Sequence, residues 1–353
     1  MFNTYQLFSR KATILVAPIY IIHYSCLQLI WLGAMAVHFL LSSKARTLSL
    51  ATVLRMDEET AHRTFCEIRW EGNDGKPFCP HCGGVEVYTY TARRIFKCKA
   101  CRKQFSVTSG TLFHSRKMPI NQYLAAIAIF VNAVKGVSAL QLGRDLDVAY
   151  MTAFVLSHKL REAMAAEVQA AGELSGTVEI DGAYFGGHER QENRKADRRD
   201  RRTNHAKRKV VAIARERRGR VIPWVLDREA DAVPLIRERV ASGSVIHADE
   251  AAGWDRLMAA YDMRRVNHSV EFMGEDGACT NQAESYFARL RRAEFGQHHH
   301  ISGRHLAQYA NEAAFRENNR RRSNGENYRA VAHLALNNPK SNQWCGYWQR
   351  SAA

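Results

Sequence analysis

The chain is short of acids. Against 51 Lys and Arg it carries 35 Asp and Glu, a formal net charge of +16 over 353 residues. An excess of this size favours a polyanion, either nucleic acid or an anionic membrane, and says nothing about fold. Cysteine is also scarce. Eight cysteines at this length exclude a disulfide scaffold. Four of them fall in two CxxC pairs, which in an intracellular protein argues for metal. No internal repeat and no long low-complexity segment organises the sequence, and its length suffices for more than one domain.

Charge is missing altogether from residues 12–43, and 12–41 are mostly apolar. Arg10 and Lys11 precede this run; Lys44 and Arg46 follow it. Length and flanking charge make it a transmembrane or signal-anchor candidate. Pro18, His23, Gln28 and His38 interrupt it, however, and nothing downstream reads as secretory. The favoured reading is a start codon assigned too far upstream, with translation beginning near Met35. The expected location is then cytoplasmic, at the nucleoid, with membrane anchoring through 12–41 as the rival.

What is present divides the chain into an apolar extension (1–45), a helical lead-in (46–77), a cysteine-rich unit (78–117), a helical segment (118–170), a mixed α/β region (175–320) and a polar tail (321–353). In the cysteine unit, Cys79-Pro80-His81-Cys82 and Cys98-Lys99-Ala100-Cys101 stand fifteen residues apart. That spacing suits two knuckles closing one tetrahedral zinc site. Short strands between them make the unit a zinc ribbon. Four protein ligands leave no open position, so the expected role of the zinc is structural. Arg93, Arg94, Lys97, Lys99, Arg102 and Lys103 make the ribbon basic, which suits phosphate contacts or simply a solvated face.

Residues 118–134 read as one apolar helix, and Ser138 as the cap of a short helix to Leu146. A further helix follows Asp147 to about Ala165. Short helix, turn, helix is the pattern of a helix-turn-helix. Tyr150, Met151, Thr152, Ser157, His158 and Lys159 would then include the DNA-facing side chains. An ordinary helical hairpin packed on the catalytic region is the alternative.

Beyond residue 175, three strands are expected at 178–181, 209–214 and 220–226, with Gly219 turning between the last two and Pro223 marking an edge. Then come a helix at 232–240, a strand at 244–249, a helix at 253–261, a short strand at 264–267 and a helix at 281–294. This is an α/β (α+β, mixed-sheet) class, with the layout of a ribonuclease H-like domain in which the first and fourth strands are neighbours. Asp181 and Asp249 end two of the strands, and Glu284 sits in the first turn of the last helix. Carboxylates so placed can converge on two divalent cations about 3.5–4 Å apart and support phosphoryl transfer. Individually each has a bland reading: a turn at Asp181-Gly182, a helix cap at Asp249, a capping box of Asn281 with Glu284. Glu179, on the same strand face as Asp181, reads as an auxiliary, or more readily as a group that supports the acids from behind or lies on the surface.

Residues 194–209 hold nine Lys and Arg (Arg194, Lys195, Arg198, Arg199, Arg201, Arg202, Lys207, Arg208, Lys209) against two acids. A segment so charged should grip DNA phosphates and make binding steeply salt-dependent. Arg289, Arg291 and Arg292 after Glu284 are further DNA-contact candidates. His298-His299-His300 cannot all face one ion and reads as surface or DNA-facing; His268 reads as a packed histidine or a phosphate contact.

The stretches CPHC…CKAC followed by QFSVTSGTLFHSRKMP, then VEIDGAYFGG, HADEAAGWDRL, NQAESYFARLRRAEFGQHHHISG and YANEAAFRENNR give the chain a resemblance to the DDE-type insertion-sequence transposases that carry an N-terminal zinc ribbon. The resemblance runs over about residues 35–350, with the motifs in the family's order. It implies that Asp181, Asp249 and Glu284 form the catalytic triad and that Mg²⁺ (or Mn²⁺) works there beside one structural Zn²⁺. It also implies double-stranded DNA as substrate (terminal inverted repeats and a target), no small-molecule substrate, and assembly as a homo-oligomer on DNA. The alternative is a zinc-ribbon, helix-turn-helix regulator with an inert C-terminal domain.

Overall fold

A computed structural model describes residues 38–186, 208–266, 274 and 277–351. The apolar run before residue 38, His268 and most of the basic segment (Arg194, Lys195, Arg198, Arg199, Arg201, Arg202 and Lys207) lie outside the described residues. Among the described residues no helix is long and apolar enough to cross a membrane.

The lead-in folds as α1 (Leu50–Leu54) and α2 (Glu58–Arg69). Asp57 caps α2 by accepting from Thr60 N at 2.7 Å, and Glu58 and Glu59 add negative charge to its first turn. The apolar face of α2, with Ala61, Phe65 and Ile68 buried, meets the ribbon through Trp70, whose ring lies edge-on to Phe96 at 5.5 Å. The ribbon is a three-stranded antiparallel sheet of β1 (Val87–Tyr90), β2 (Ile95–Cys98) and β3 (Gln104–Ser106), in that order. Arg69 clamps the segment after β3, donating to the carbonyls of Ser106, Val107 and Ser109.

Three helices follow: α3 (Ile120–Asn132), α4 (Ala139–Asp145) and α5 (Tyr150–Ala170). Ser138 caps α4 through Gln141 N at 3.1 Å. A Cβ on Gly143 would stand 3.1 Å from the Val148 carbonyl, so glycine lets α4 and α5 close on each other. The helix-turn-helix reading needs correction on its second helix. Ser157 and His158 are fully buried, and α5 runs through the core rather than along the surface. Tyr150 and Met151, at its N-terminal end, stay exposed.

The second sheet contains β4 (Thr177–Gly186), β5 (Arg208–Glu216), β6 (Val221–Leu226), β7 (Val245–Asp249) and β8 (Asp262–Val266), in the order β6-β5-β4-β7-β8. β4, β5 and β6 are antiparallel; β7 pairs parallel to β4 on one side and to β8 on the other. This is the ribonuclease H-like order, with first and fourth strands side by side and Pro223 on the edge strand. The period of two divides the faces. Val178, Ile180, Ala212, Ala214, Ile246 and Ala248 pack under α6 (Val233–Arg239), with Trp254 and Leu257. Ala183, Phe185, Val211 and Ile213 face α7 (Asn281–Ala293) and α8 (Leu306–Asn318). The helix expected at 253–261 is only a 3-10 turn, Ala252–Leu257.

Two buried ion pairs tie α8 to the rest: Arg161–Glu312 at 2.7 Å from α5, and Arg215–Glu317 at 2.7 Å from β5. The polar tail is more structured than its composition suggests. Ser323 and Glu326 form a capping box for α9 (Asn324–Asn337), which packs on α2, α3 and α5. Trp344 then stacks on His158 at 4.1 Å, and α10 (Tyr347–Ser351) closes over the start of α5, where Trp348 Nε1 donates to the Met151 carbonyl.

Candidate active site

The structure brings Asp181, Asp249 and Glu284 to one place. Parallel pairing sets Ile180 opposite Ala248, so the next residues, Asp181 and Asp249, lie alongside each other. Asp181 does not end its strand; β4 continues to Gly186, and Asp181 sits at its middle. Burial pushes the Asp181 carboxyl up to about 7, with Asp249, Glu284 and Glu229 raising it further against the opposing Gly182 N–H. Asp249 accepts from Ala251 N at 3.2 Å and from Trp254 Nε1 at 3.0 Å, which fixes its rotamer. The triad's oxygens are looser than the ribbon's sulfurs and do not all lie within 4.8 Å of one another.

Glu284 is positioned by a residue the sequence undervalued. Glu179 is fully buried, not a surface group, and its Oε2 accepts from Gln282 N at 2.8 Å and Ala283 N at 3.0 Å. The expected capping box of Asn281 with Glu284 is absent: Asn281 is the first helical residue, and the N-cap Thr280 makes no side-chain cap. Glu179 caps α7 from the sheet instead, with Arg217 Nε at 3.2 Å balancing its charge. His247, across from Glu179 in the register, accepts from Cys279 N at 3.1 Å. Two residues of β4 thus serve one site: Asp181 faces it, and Glu179 fastens the helix that brings Glu284.

Asp181, Asp249 and Glu229 have no Lys or Arg ion-pair partner among the described residues. Acidic oxygens converging without a counter-charge fit a hard divalent cation such as Mg²⁺ or Mn²⁺.

The arginines beyond Glu284 divide. Arg291 lies seven residues on, hence on the same helix face, and its guanidinium stands 6.0 Å over the Phe185 ring of β4. Arg289 and Arg292 point to another side, where they line a cavity of about 650 Å³ with Arg320 and Arg322. Arg289 is ion-paired with the buried Glu317. Of the described basic-segment residues, Arg208 begins β5 and Lys209 pairs with Asp227. His298 is not surface-exposed: it packs 4.7 Å from the Tyr309 ring, and burial pushes its pKa down to about 4.

The ribbon gathers Cys79, Cys82, Cys98 and Cys101 so that all four sulfurs lie within 4.8 Å of one another. The Cys79–Cys101 and Cys82–Cys98 separations are each 3.6 Å, near the edge of about 3.8 Å expected for a zinc tetrahedron with 2.3 Å bonds. Gly83 at φ 74° and Arg102 at φ 61° turn the two knuckles.

A ribonuclease H-like sheet bearing acids on its two neighbouring inner strands, behind a four-cysteine ribbon, is the architecture of a DDE-type transposase. Residues 173–318 match the family model of the ISXO2-like transposase domain, and residues 56–104 match that of the transposase zinc-ribbon domain. The chain belongs to the insertion-sequence transposases that carry an N-terminal zinc ribbon. It is also similar to an uncharacterized protein in transposable element ISH50 of Halobacterium salinarum, at 26% identity over 298 residues, which are 80% of this chain and 98% of that protein.

Proposed function

We propose that the chain binds the terminal inverted repeats of its element, cleaves DNA at the ends and joins the resulting 3′-hydroxyl to target DNA. The observation that carries this reading is the approach of Asp181 and Asp249, on the neighbouring strands β4 and β7, to Glu284 in the first turn of α7, with burial and like charge raising Asp181. Asp181 and Asp249 would hold Mg²⁺ or Mn²⁺ between the parallel strands, and Glu284 would complete the site from α7. The bound cations would supply activation of the attacking oxygen and stabilisation of the leaving one. Trp254 holds the Asp249 carboxylate, and Glu179 fastens the first turn of the helix that carries Glu284. No Ser or Tyr nucleophile is needed, because water and then the freed 3′-hydroxyl attack directly.

Arg291, on the face of Glu284, is suited to a phosphate next to the scissile one. The basic segment 194–209 would extend that contact along the duplex, and the charge of +16 supports a polyanionic partner. Zinc on the four cysteines would hold the ribbon for end binding. Oligomerisation on paired ends belongs to the same reading.

The test is a reaction of the full chain with a duplex bearing the flanking terminal repeat, a target plasmid and Mg²⁺. The expected products are a nick at the 3′ transposon end and a strand joined to the plasmid. End-specific binding with neither product would favour the regulator reading and sink this one.

A further inference from the structure

We infer that the outward face of the ribbon sheet stacks the bases of an unpaired DNA strand, a contact beyond end recognition and independent of the three acids. Residues paired across an antiparallel sheet share a face, so the register sorts the ribbon's side chains. Phe96 pairs with Phe105, and both are buried on the face that meets Trp70. The opposite face carries Tyr88 beside Lys97 and Gln104, and Tyr90 beside Ile95 and Ser106. Tyr88 is 47% exposed and Tyr90 43%. Neither hydroxyl has a hydrogen-bond partner among the described residues. Lys99 Nζ stands 5.4 Å from the centre of the Tyr88 ring.

One exposed tyrosine on a strand needs no explanation. Two on one face, two residues apart and flanked by lysines, form the pattern on which splayed bases stack. Strand geometry sets them roughly 7 Å apart. Bases in a duplex repeat at about 3.4 Å along each strand, so bases resting on both rings are separated from one another. Neighbouring pairs cover those base faces in a duplex; an unpaired strand leaves them free. The charge complements a phosphate backbone. Residues 78–108 hold six Lys and Arg against one acid, Glu86. Glu86 pairs with Lys99 at 3.5 Å, while Lys97 has no ion-pair partner among the described residues. At the Tyr90 end of the sheet, Arg94, Arg116 and Lys117 line one open cleft. The acid in that cleft, Glu58, lies 4.0 Å from Arg94 and accepts from Ile120 N and Asn121 N. An apolar protein surface on this face would strip water from the lysines without pairing them. A DNA strand supplies base faces for the rings and phosphates for the lysines.

The experiment measures binding of the full, zinc-loaded chain to a short labelled DNA strand of mixed sequence at fixed salt. An abasic strand of the same length and a duplex of the same sequence are the comparisons. Tyr88→Ala and Tyr90→Ala are each expected to weaken single-strand binding roughly 5- to 150-fold, the scale of one base–aromatic stack. Tyr88→Phe and Tyr90→Phe keep the rings and are expected to bind like the wild type. Abasic-strand and duplex binding should not change in the alanine variants, since neither partner offers open base faces. Wild-type single-strand affinity in the double alanine variant overturns the inference. So does an equal loss on the abasic strand or the duplex, which would make the tyrosines contacts to the backbone. Tighter binding of an RNA strand of the same sequence would overturn the assignment to DNA. Hydrogen exchange across β1–β3 checks that each variant keeps the ribbon. Should the alanine variants lose it, the wild type still decides: equal affinity for the strand with bases and the abasic strand overturns the inference. None of these outcomes touches the cleavage reading, which the nick and the joined product decide.

Discussion

At the scale of single residues, the proposed site rests on a buried carboxylate that is not one of its three acids. Glu179 has no exposure, an arginine on one oxygen and two helix N–H groups on the other. Removing one partner of a buried charge pair costs roughly 3–5 kcal/mol. Glu179→Ala is therefore expected to lower stability by about that amount in urea unfolding, and to reduce DNA nicking by releasing the first turn of α7. Unchanged stability would show that Arg217 and the helix start do not need this anchor. The placement of Asp181, Asp249 and Glu284 was legible in the sequence because each falls on a recognisable element: two at strands, one in a first helical turn. Glu179 was not, since its burial depends on where α7 docks, and strand periodicity gives only its face.

At the scale of elements, the ribbon and the C-terminal segment that folds over α5 make separate predictions. Four thiolates with no open position hold a ribbon that has little core of its own beyond Phe96 and Phe105. Chelating the zinc, or Cys82→Ser, should abolish hydrogen-exchange protection across β1–β3 while β4 and β5 keep theirs. Protection that persists in the ribbon without zinc would mean its packing on Trp70 suffices. Around α5, burial pushes His158 down to about 2 and His298 down to about 4, and lowers His305, from an ordinary 6.5. All three are held neutral by the fold. Below about pH 6.5 the unfolded chain binds protons that the folded chain refuses, so their contribution to stability is full above that pH and is lost as pH falls. The melting temperature of the wild type should drop from pH 7 to pH 5 more steeply than that of His158→Leu; parallel curves would contradict this. The sequence placed α5 correctly as a helix but misjudged what it touches. Ser157, His158 and Lys159 look like a DNA-facing row until Trp344 and Tyr347, nearly two hundred residues later, fold back over α5. A long-range partner of that kind leaves no mark in local periodicity.

At the scale of the whole molecule, alternation of strand and helix signals was enough to set the first and fourth strands, β4 and β7, side by side, because three antiparallel strands followed by parallel crossovers leave few topologies. The edge position of β6 was readable from Pro223 alone. What the pattern concealed was the end of the chain: the Asn- and Arg-rich composition of 321–337 looks like a solvated tail, yet Tyr328, Val331, Ala332, Ala335 and Leu336 form the buried stripe of α9. The charge distribution makes a further prediction for DNA. Neutralising one phosphate contact should lower the slope of log affinity against log salt by about 0.9. Arg291→Gln should do so with little effect on folding, whereas Arg289→Gln, which strips a partner from buried Glu317, should act mainly on stability. Equal salt slopes for Arg291→Gln and wild type would remove Arg291 from the DNA path.

The most direct measurement is the single-turnover rate of nicking at the 3′ transposon end in Mg²⁺, for the wild type and for Asp181→Asn, Asp249→Asn and Glu284→Gln, with end binding measured in parallel. Loss of several kcal/mol of transition-state stabilisation corresponds to a rate reduction on the order of 10³-fold or more. Each variant is expected to show that loss while still binding the terminal repeat. A wild-type rate in any one of the three would contradict the assignment of that carboxylate and, with it, the site as drawn.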